Sequence, residues 1–178
     1  TIIGDVVNLR KRLNWFEQRP LFGQRIVVTR ARAQAGDLAQ RLTELGAEVL
    51  EIPCVKIGLP TQLQNVADAL LELNSCDWLV FTCPNGVTTF FDYFFKAFQD
   101  MRDIGGVRIA AIGPATAARL RELHLQVDLM PAEALGVKVA AAFNKFETIE
   151  NLKICLLRAE VANRDLPDAL EALGAIVD

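Results

Sequence analysis

The stretch RIVVTRARAQAGDLAQRLTELGAEVLEIP (25–53) decides the fold. A short β-rich run enters it, a turn of polar and small residues follows, and an amphipathic segment then leads to Leu45-Gly46 and a second β-rich run. The same pattern returns without a gap in KICLLRAEVANRDLPDALEALGAIVD (153–178). Ile26 matches Ile154, Arg30 matches Arg158, Asp37 matches Asp165, Leu38 matches Leu166, Leu42 matches Leu170, and Leu45-Gly46 matches Leu173-Gly174. Leu38, Leu42 and Leu45 fall on one helical face, the expected core face. Gly46 and Gly174 suit the left-handed residue that ends a helix. A looser copy, RIAAIGPATAARLRELHLQVDLMP (108–131), carries His124 where the others carry glycine.

Strand, helix, strand in this order predicts parallel pairing with right-handed crossovers. Between the repeats, WLVFT (78–82) reads as a buried strand and GVTTFFDYFFKAFQD (86–100) as its helix. Residues 137–146 read as another helix, and a further one precedes Trp78. The fold class is α/β. The third repeat matches the first better than the second, which predicts two similar parallel-sheet α/β domains. Phe90, Phe91, Tyr93, Phe94, Phe95 and Phe98 cover more than one face of their helix, so most are core and the excess is an interface.

At 178 residues and 52% hydrophobic, the chain can bury a sizeable core. Its net charge of −3 gives no electrostatic case for nucleic acid or an anionic membrane. Cys54, Cys76, Cys83 and Cys155 form no CxxC pair and His124 is the single histidine, so a metal site is not expected. Cys54 and Cys155 lie in apolar strand-like runs, where cysteine behaves as a small hydrophobe. With no signal-peptide pattern and no membrane-length apolar run, the expected compartment is the cytoplasm.

Loops after strand carboxyl ends are where open α/β sheets bind ligands. Four qualify: 29–37, 82–86 (TCPNG), 113–117 (GPATA) and 158–165 (RAEVANRD). Cys83 as a nucleophile lacks a neighbouring base; otherwise it is a small residue at a strand end, with Pro84, Asn85 and Gly86 shaping the start of a helix. In GPATA, Gly113 permits close approach to a ligand, and Thr116 offers a hydroxyl and an N–H to a carboxylate or phosphate; equally, Thr116 serves only the helix start. Arg30, Arg32, Arg158 and Arg164 suit bidentate binding of carboxylates. Asp37 and Asp165 are helix-start residues or arginine partners. No Ser-His-Asp set or spaced carboxylate pair exists, so any catalysis rests on positioning and electrostatics.

These motifs, taken in order over residues 25–178, resemble uroporphyrinogen-III synthases. The resemblance implies two α/β domains joined by a two-stranded linker, with the chain opening domain one (24–57), building domain two (58–178) and returning to domain one. That return, and a tyrosine the family carries there, lie past Asp178, so the implied chain is a fragment with little activity of its own. The implied reaction is cyclisation of hydroxymethylbilane to uroporphyrinogen III with inversion of ring D and loss of water, needing no metal or organic cofactor. Thr82, Cys83 and Asn85 match a TSxNAV-like loop, with cysteine where serine is usual. Gly113 and Thr116 match GxxTA, Arg158 and Arg164 match RGExxRxxL, and Arg30 matches the arginine after the first strand. By this matching they are substrate contacts, and Thr116 is the candidate catalytic group. Residues 1–23 resemble the tail of a uroporphyrinogen methyltransferase domain, implying a fusion enzyme. Two rival readings stand beside this one: a non-catalytic two-lobed ligand-binding or regulatory module, and a structural fragment that swaps strands into a homodimer.

Overall fold

The computed structural model describes residues 3–178, without the side chains of Lys11, Arg32 and Ala33. It divides into two compact units, one ending at Gly58 and the other comprising Leu59–Asp178.

In the first unit a 3-10 turn (Asp5–Leu9) and a single helical turn, α1 (Arg10–Leu13), precede β1 (Arg25–Val28), α2 (Arg32–Glu44) and β2 (Glu48–Glu51). The strands pair in parallel, with Val27 beside Leu50. The predicted core face of α2 is not the observed one. Ala31, Ala35 and Ala39 are buried, while Leu38 and Leu45 are exposed. Two short strands offer little surface, and the small side chains let α2 sit close to it. Their other face stays open: Val27 and Leu50 remain 50% and 49% exposed. Cys54, three residues past β2, is exposed rather than buried for the same lack of a covering layer.

The second unit is a doubly wound sheet. β3 (Trp78–Phe81), β4 (Arg108–Ala111), β5 (Lys153–Leu157) and β6 (Ile176–Val177) are all parallel, in the order β4-β3-β5-β6. Because β3 is central and covered on both sides, its four residues are fully buried, as a strand of a parallel sheet must be. Its side chains alternate between two cores. Leu79 and Phe81 pack with α3 (Leu63–Leu71), α4 (Pro84–Ala97) and α5 (Pro114–Glu122). Trp78 and Val80 pack with α6 (Gly136–Phe146) and α7 (Asp165–Glu171).

Here the leucine face of the repeat is buried: Leu166 and Leu170, the partners of Leu38 and Leu42, sit in the second core beside α6. Gly46, Gly174 and His124 all adopt positive φ at helix ends, so His124 occupies the glycine position as the pattern predicts. Asp165 is the first residue of α7, but Asp37 lies mid-way along α2 and starts nothing, because α2 begins at Arg32. The closing strand of the middle repeat is reduced to one bridge between Ala110 and Leu129. No helix among the described residues is long and apolar enough to cross a membrane.

Candidate functional site

With β4, β3 and β5 adjacent and parallel, the loops that leave them share one edge of the second unit. The edge is stapled from strand to strand. Thr82 donates to the Leu157 carbonyl twice, from its amide (3.1 Å) and from Oγ1 (3.3 Å). The Ile112 amide donates to the Phe81 carbonyl at 2.9 Å. The loop after β3 is thereby fixed to the end of β5, and the loop after β4 to the end of β3.

Each loop then runs into a helix. Cys83 caps α4, its Sγ accepting from the Gly86 amide at 3.4 Å, with Pro84 at the first helical position. Gly113, with φ of +95°, turns the chain into α5, where Pro114 again leads. Proline there removes an amide that would lack a helical acceptor in any case. The remaining first-turn amides of α5 carry the positive end of the helix dipole to the rim. Asn85 sits part-buried on the first turn of α4.

Thr116 is 2% exposed, the single buried polar residue among those described. It does not cap the helix. Its Oγ1 donates to the Ile112 carbonyl at 3.1 Å, one turn back. That bond uses the hydroxyl proton and leaves the oxygen's two lone pairs as acceptors.

The arginines divide. Arg158, part-buried, donates to the Asn163 carbonyl and closes its own loop. Arg164 turns away to Asp168 (3.0 Å) and Glu171 (3.6 Å) on α7. Its hydrogen bond to Asp168 raises the guanidinium pKa further. Arg30 is exposed in the first unit, two residues past β1. The side chain of Arg32 lies outside the described residues. The structure thus gathers Thr82, Cys83, Asn85, Gly113, Thr116 and Arg158 along one edge, and it shows Arg164 engaged by the acids of its own helix.

The thiols divide as well. Burial pushes the Cys155 thiol up to about 12, and Cys76 rises for the same reason, so both are space-filling groups. Among the described residues no group of three or more His, Cys, Asp or Glu side chains could hold a metal. A cavity of ≈ 350 Å³ opens at the opposite, amino end of the sheet, by Asn74, Cys76, Asp77 and Arg108. Two of its polar groups are already used: Asp77 accepts from the Lys153 amide at 2.8 Å, and Arg108 pairs with Glu147. Ligands of such sheets bind at the other end.

Cys83 gives a direct test of its role. A serine oxygen accepts a backbone hydrogen bond better than sulfur, so Cys83→Ser improves the α4 cap. The expected result is a gain of about 0.5–1 kcal/mol, or about 1–4 °C in Tm for a chain of this size, with ligand binding unchanged. Loss of binding would show that the sulfur itself matters.

Sequence reading missed one pair at this edge. Arg119 on α5 donates to Thr88 on α4 at 3.1 Å. The two are 31 residues apart in sequence, and no spacing rule connects them. Only the adjacency of β3 and β4 could have brought them together.

The fold is thus a doubly wound α/β unit whose carboxyl-end loops after β3 and β4 are each tied to the neighbouring strand. A sequence model of the family "Uroporphyrinogen-III synthase HemD" matches residues 36–178, and the chain belongs to that family. It is 31% identical over 170 residues to "Porphyrin biosynthesis protein HemD" of Ruminiclostridium josui, covering 96% of this chain and 34% of that protein. It is 27% identical over 161 residues to "Uroporphyrinogen-III synthase" of Synechococcus elongatus, covering 90% of this chain and 60% of that protein. A solved uroporphyrinogen III synthase mutant from Thermus thermophilus shares the fold, with a TM-score of 0.63 at 18% identity over 87% of this chain and 60% of that one. The chain thus spans between a third and three-fifths of the length of these three proteins.

Proposed function

We propose that this chain is part of an enzyme that cyclises hydroxymethylbilane to uroporphyrinogen III, a cofactor-independent lyase of tetrapyrrole biosynthesis. Family membership over 36–178, including the three loops, is the observation that supports it most strongly. The substrate is a flexible chain of four pyrroles with eight carboxylates. Its terminal hydroxyl takes a proton from solvent and leaves as water, the substituted carbon of ring D attacks the resulting cation, and a proton is lost again when the final closure restores the pyrrole. The spiro intermediate reopens and closes again with ring D inverted. Left alone, the same cation closes to the type I isomer, so the protein's task is to hold a conformation.

An edge rich in amide donors, with no acid–base pair of its own, suits that task. In this reading the loops at Thr82–Asn85 and Gly113–Thr116 and the Arg158 loop grip carboxylates. The Thr116 oxygen accepts a hydrogen bond from the reacting end. Arg164 joins only by exchanging its helix partners for a substrate carboxylate. Arg30 keeps its assignment from the motif alone.

The division into 1–23, 24–57 and 58–178, the two-stranded linker, the cytoplasmic setting and an upstream methyltransferase domain belong to the same proposal. A likeness to "Uroporphyrinogen-III C-methyltransferase" of Bacillus subtilis, 28% identical over 155 residues and covering 86% of this chain and 31% of that protein, supports the last of these. β1 and β2 pair only with each other among the described residues, and the outer edge this leaves on each supports strand exchange between two copies of this chain; weak activity for the chain alone belongs to the same proposal.

The test is the ratio of type III to type I uroporphyrinogen formed from fresh hydroxymethylbilane by the full-length gene product. Mostly type III is expected. Type I alone, at the uncatalysed rate, would sink the proposal. Light scattering on this chain reads one copy or two, and a clean monomer rules out the exchange.

A further inference from the structure

Arg119 lies in none of the loops, yet it joins two of them. Its Nε donates to Thr88 Oγ1 at 3.1 Å, and its NH1 pairs with Glu122 Oε2 at 2.5 Å. The Thr88 hydroxyl in turn donates to the Pro84 carbonyl at 3.3 Å. Thr88 is one turn into α4, and Arg119 is one turn below Thr116 on α5. A continuous chain of polar contacts therefore runs from the residue after Cys83 to the helix that carries Thr116.

α4 and α5 also share an apolar core through Val87, Phe91, Ala117 and Leu120. Apolar contact is non-directional and tolerates small sliding. The guanidinium is planar and directional, with Glu122 orienting it from one side and Thr88 receiving it on the other. We propose that Arg119 is a positioning residue that sets the spacing between the 82–86 and 113–116 loops, and so the separation at which they grip two carboxylates of one flexible bilane. This rests on the reading of the edge as a synthase site. Lysine, a point charge without the fork, can reach one of the two partners but not both.

Stability alone would not reveal such a role, because an ion pair this exposed contributes little to it. A positioning role shows instead in product identity. Arg119→Gln, Thr88→Val, their combination and Arg119→Lys are compared in the full-length gene product with hydroxymethylbilane as substrate. Arg119→Gln is expected to lose about tenfold in kcat/KM and to release a larger fraction of type I product, with Tm nearly unchanged. Thr88→Val should do the same, the double variant should be no worse than either single, and Arg119→Lys should recover part of the loss. Wild-type kinetics and product ratio in Arg119→Gln, or losses that multiply in the double variant, would overturn the proposal. If the wild-type protein itself yields only type I, the synthase reading falls, and uroporphyrin I binding then judges the link. A Kd weakened several-fold in both single variants supports it, and an unchanged Kd overturns it.

Discussion

Phe94→Ala is expected to remove about 3–5 kcal/mol from the stability of the second unit and to lower its melting transition by about 10 °C. Phe94 is 0% exposed. Its ring meets Phe90, Phe91, Phe95 and Phe98 at centroid distances of 4.9 to 6.2 Å. The cavity left by truncation opens inside the core that α4 shares with α3, α5 and the strands, among rings that are themselves packed against one another. Phe95, the next residue, is 48% exposed, and Phe95→Ala should cost about 1 kcal/mol or less. Chemical denaturation of the two variants side by side checks the contrast. Equal losses would mean that the exposed ring is covered in solution.

That contrast also shows what the sequence could and could not tell. The run FFDYFFKAF announces more aromatic surface than one helix face can bury, but which ring is left out depends on the helix register against β3. Alternation in WLVF, the repeat of strand, helix and strand, and the glycine-like place of His124 were legible because local periodicity and backbone chirality decide them. The fate of the leucine face was not. Leu38 and Leu166 occupy the same repeat position, yet one is exposed and the other buried, because burial depends on how many neighbouring elements are present. The site was legible as three loops, since strand order places them, but not in its side-chain detail. The bond of Arg164 to Asp168 is local and could have been read from the i, i+4 spacing. The bonds between Arg119 and Thr88, and between Thr82 and Leu157, needed the sheet order first.

The largest effect expected on activity comes from a residue that touches nothing chemical. Gly136 opens α6, and a methyl group added there would stand 2.9 Å from the carbonyl carbon and oxygen of Asp165 and 3.0 Å from the Leu166 amide. These are backbone atoms, which no rotamer change can move aside. Gly136→Ala must therefore push α6 away from α7 or displace the turn at Asp165, where the loop that begins with Arg158 ends. Overpacking of this kind costs about 1–3 kcal/mol. If the Arg158 loop grips a carboxylate, a shift of about 1 Å is enough to cost on the order of 100-fold in rate. The expected result is a full-length protein that still folds, with a modestly lowered Tm, while type III formation falls about 100-fold. Gly106→Ala is the control, since its added methyl meets nothing within 4 Å, and both Tm and activity should hold. Lost activity with a near-normal Tm places the reaction's demand on the position of the Arg158 loop. A lowered Tm with full activity would show that the loop can move freely, and the grip would then rest on the two amide-lined loops that Arg119 and Thr88 tie together.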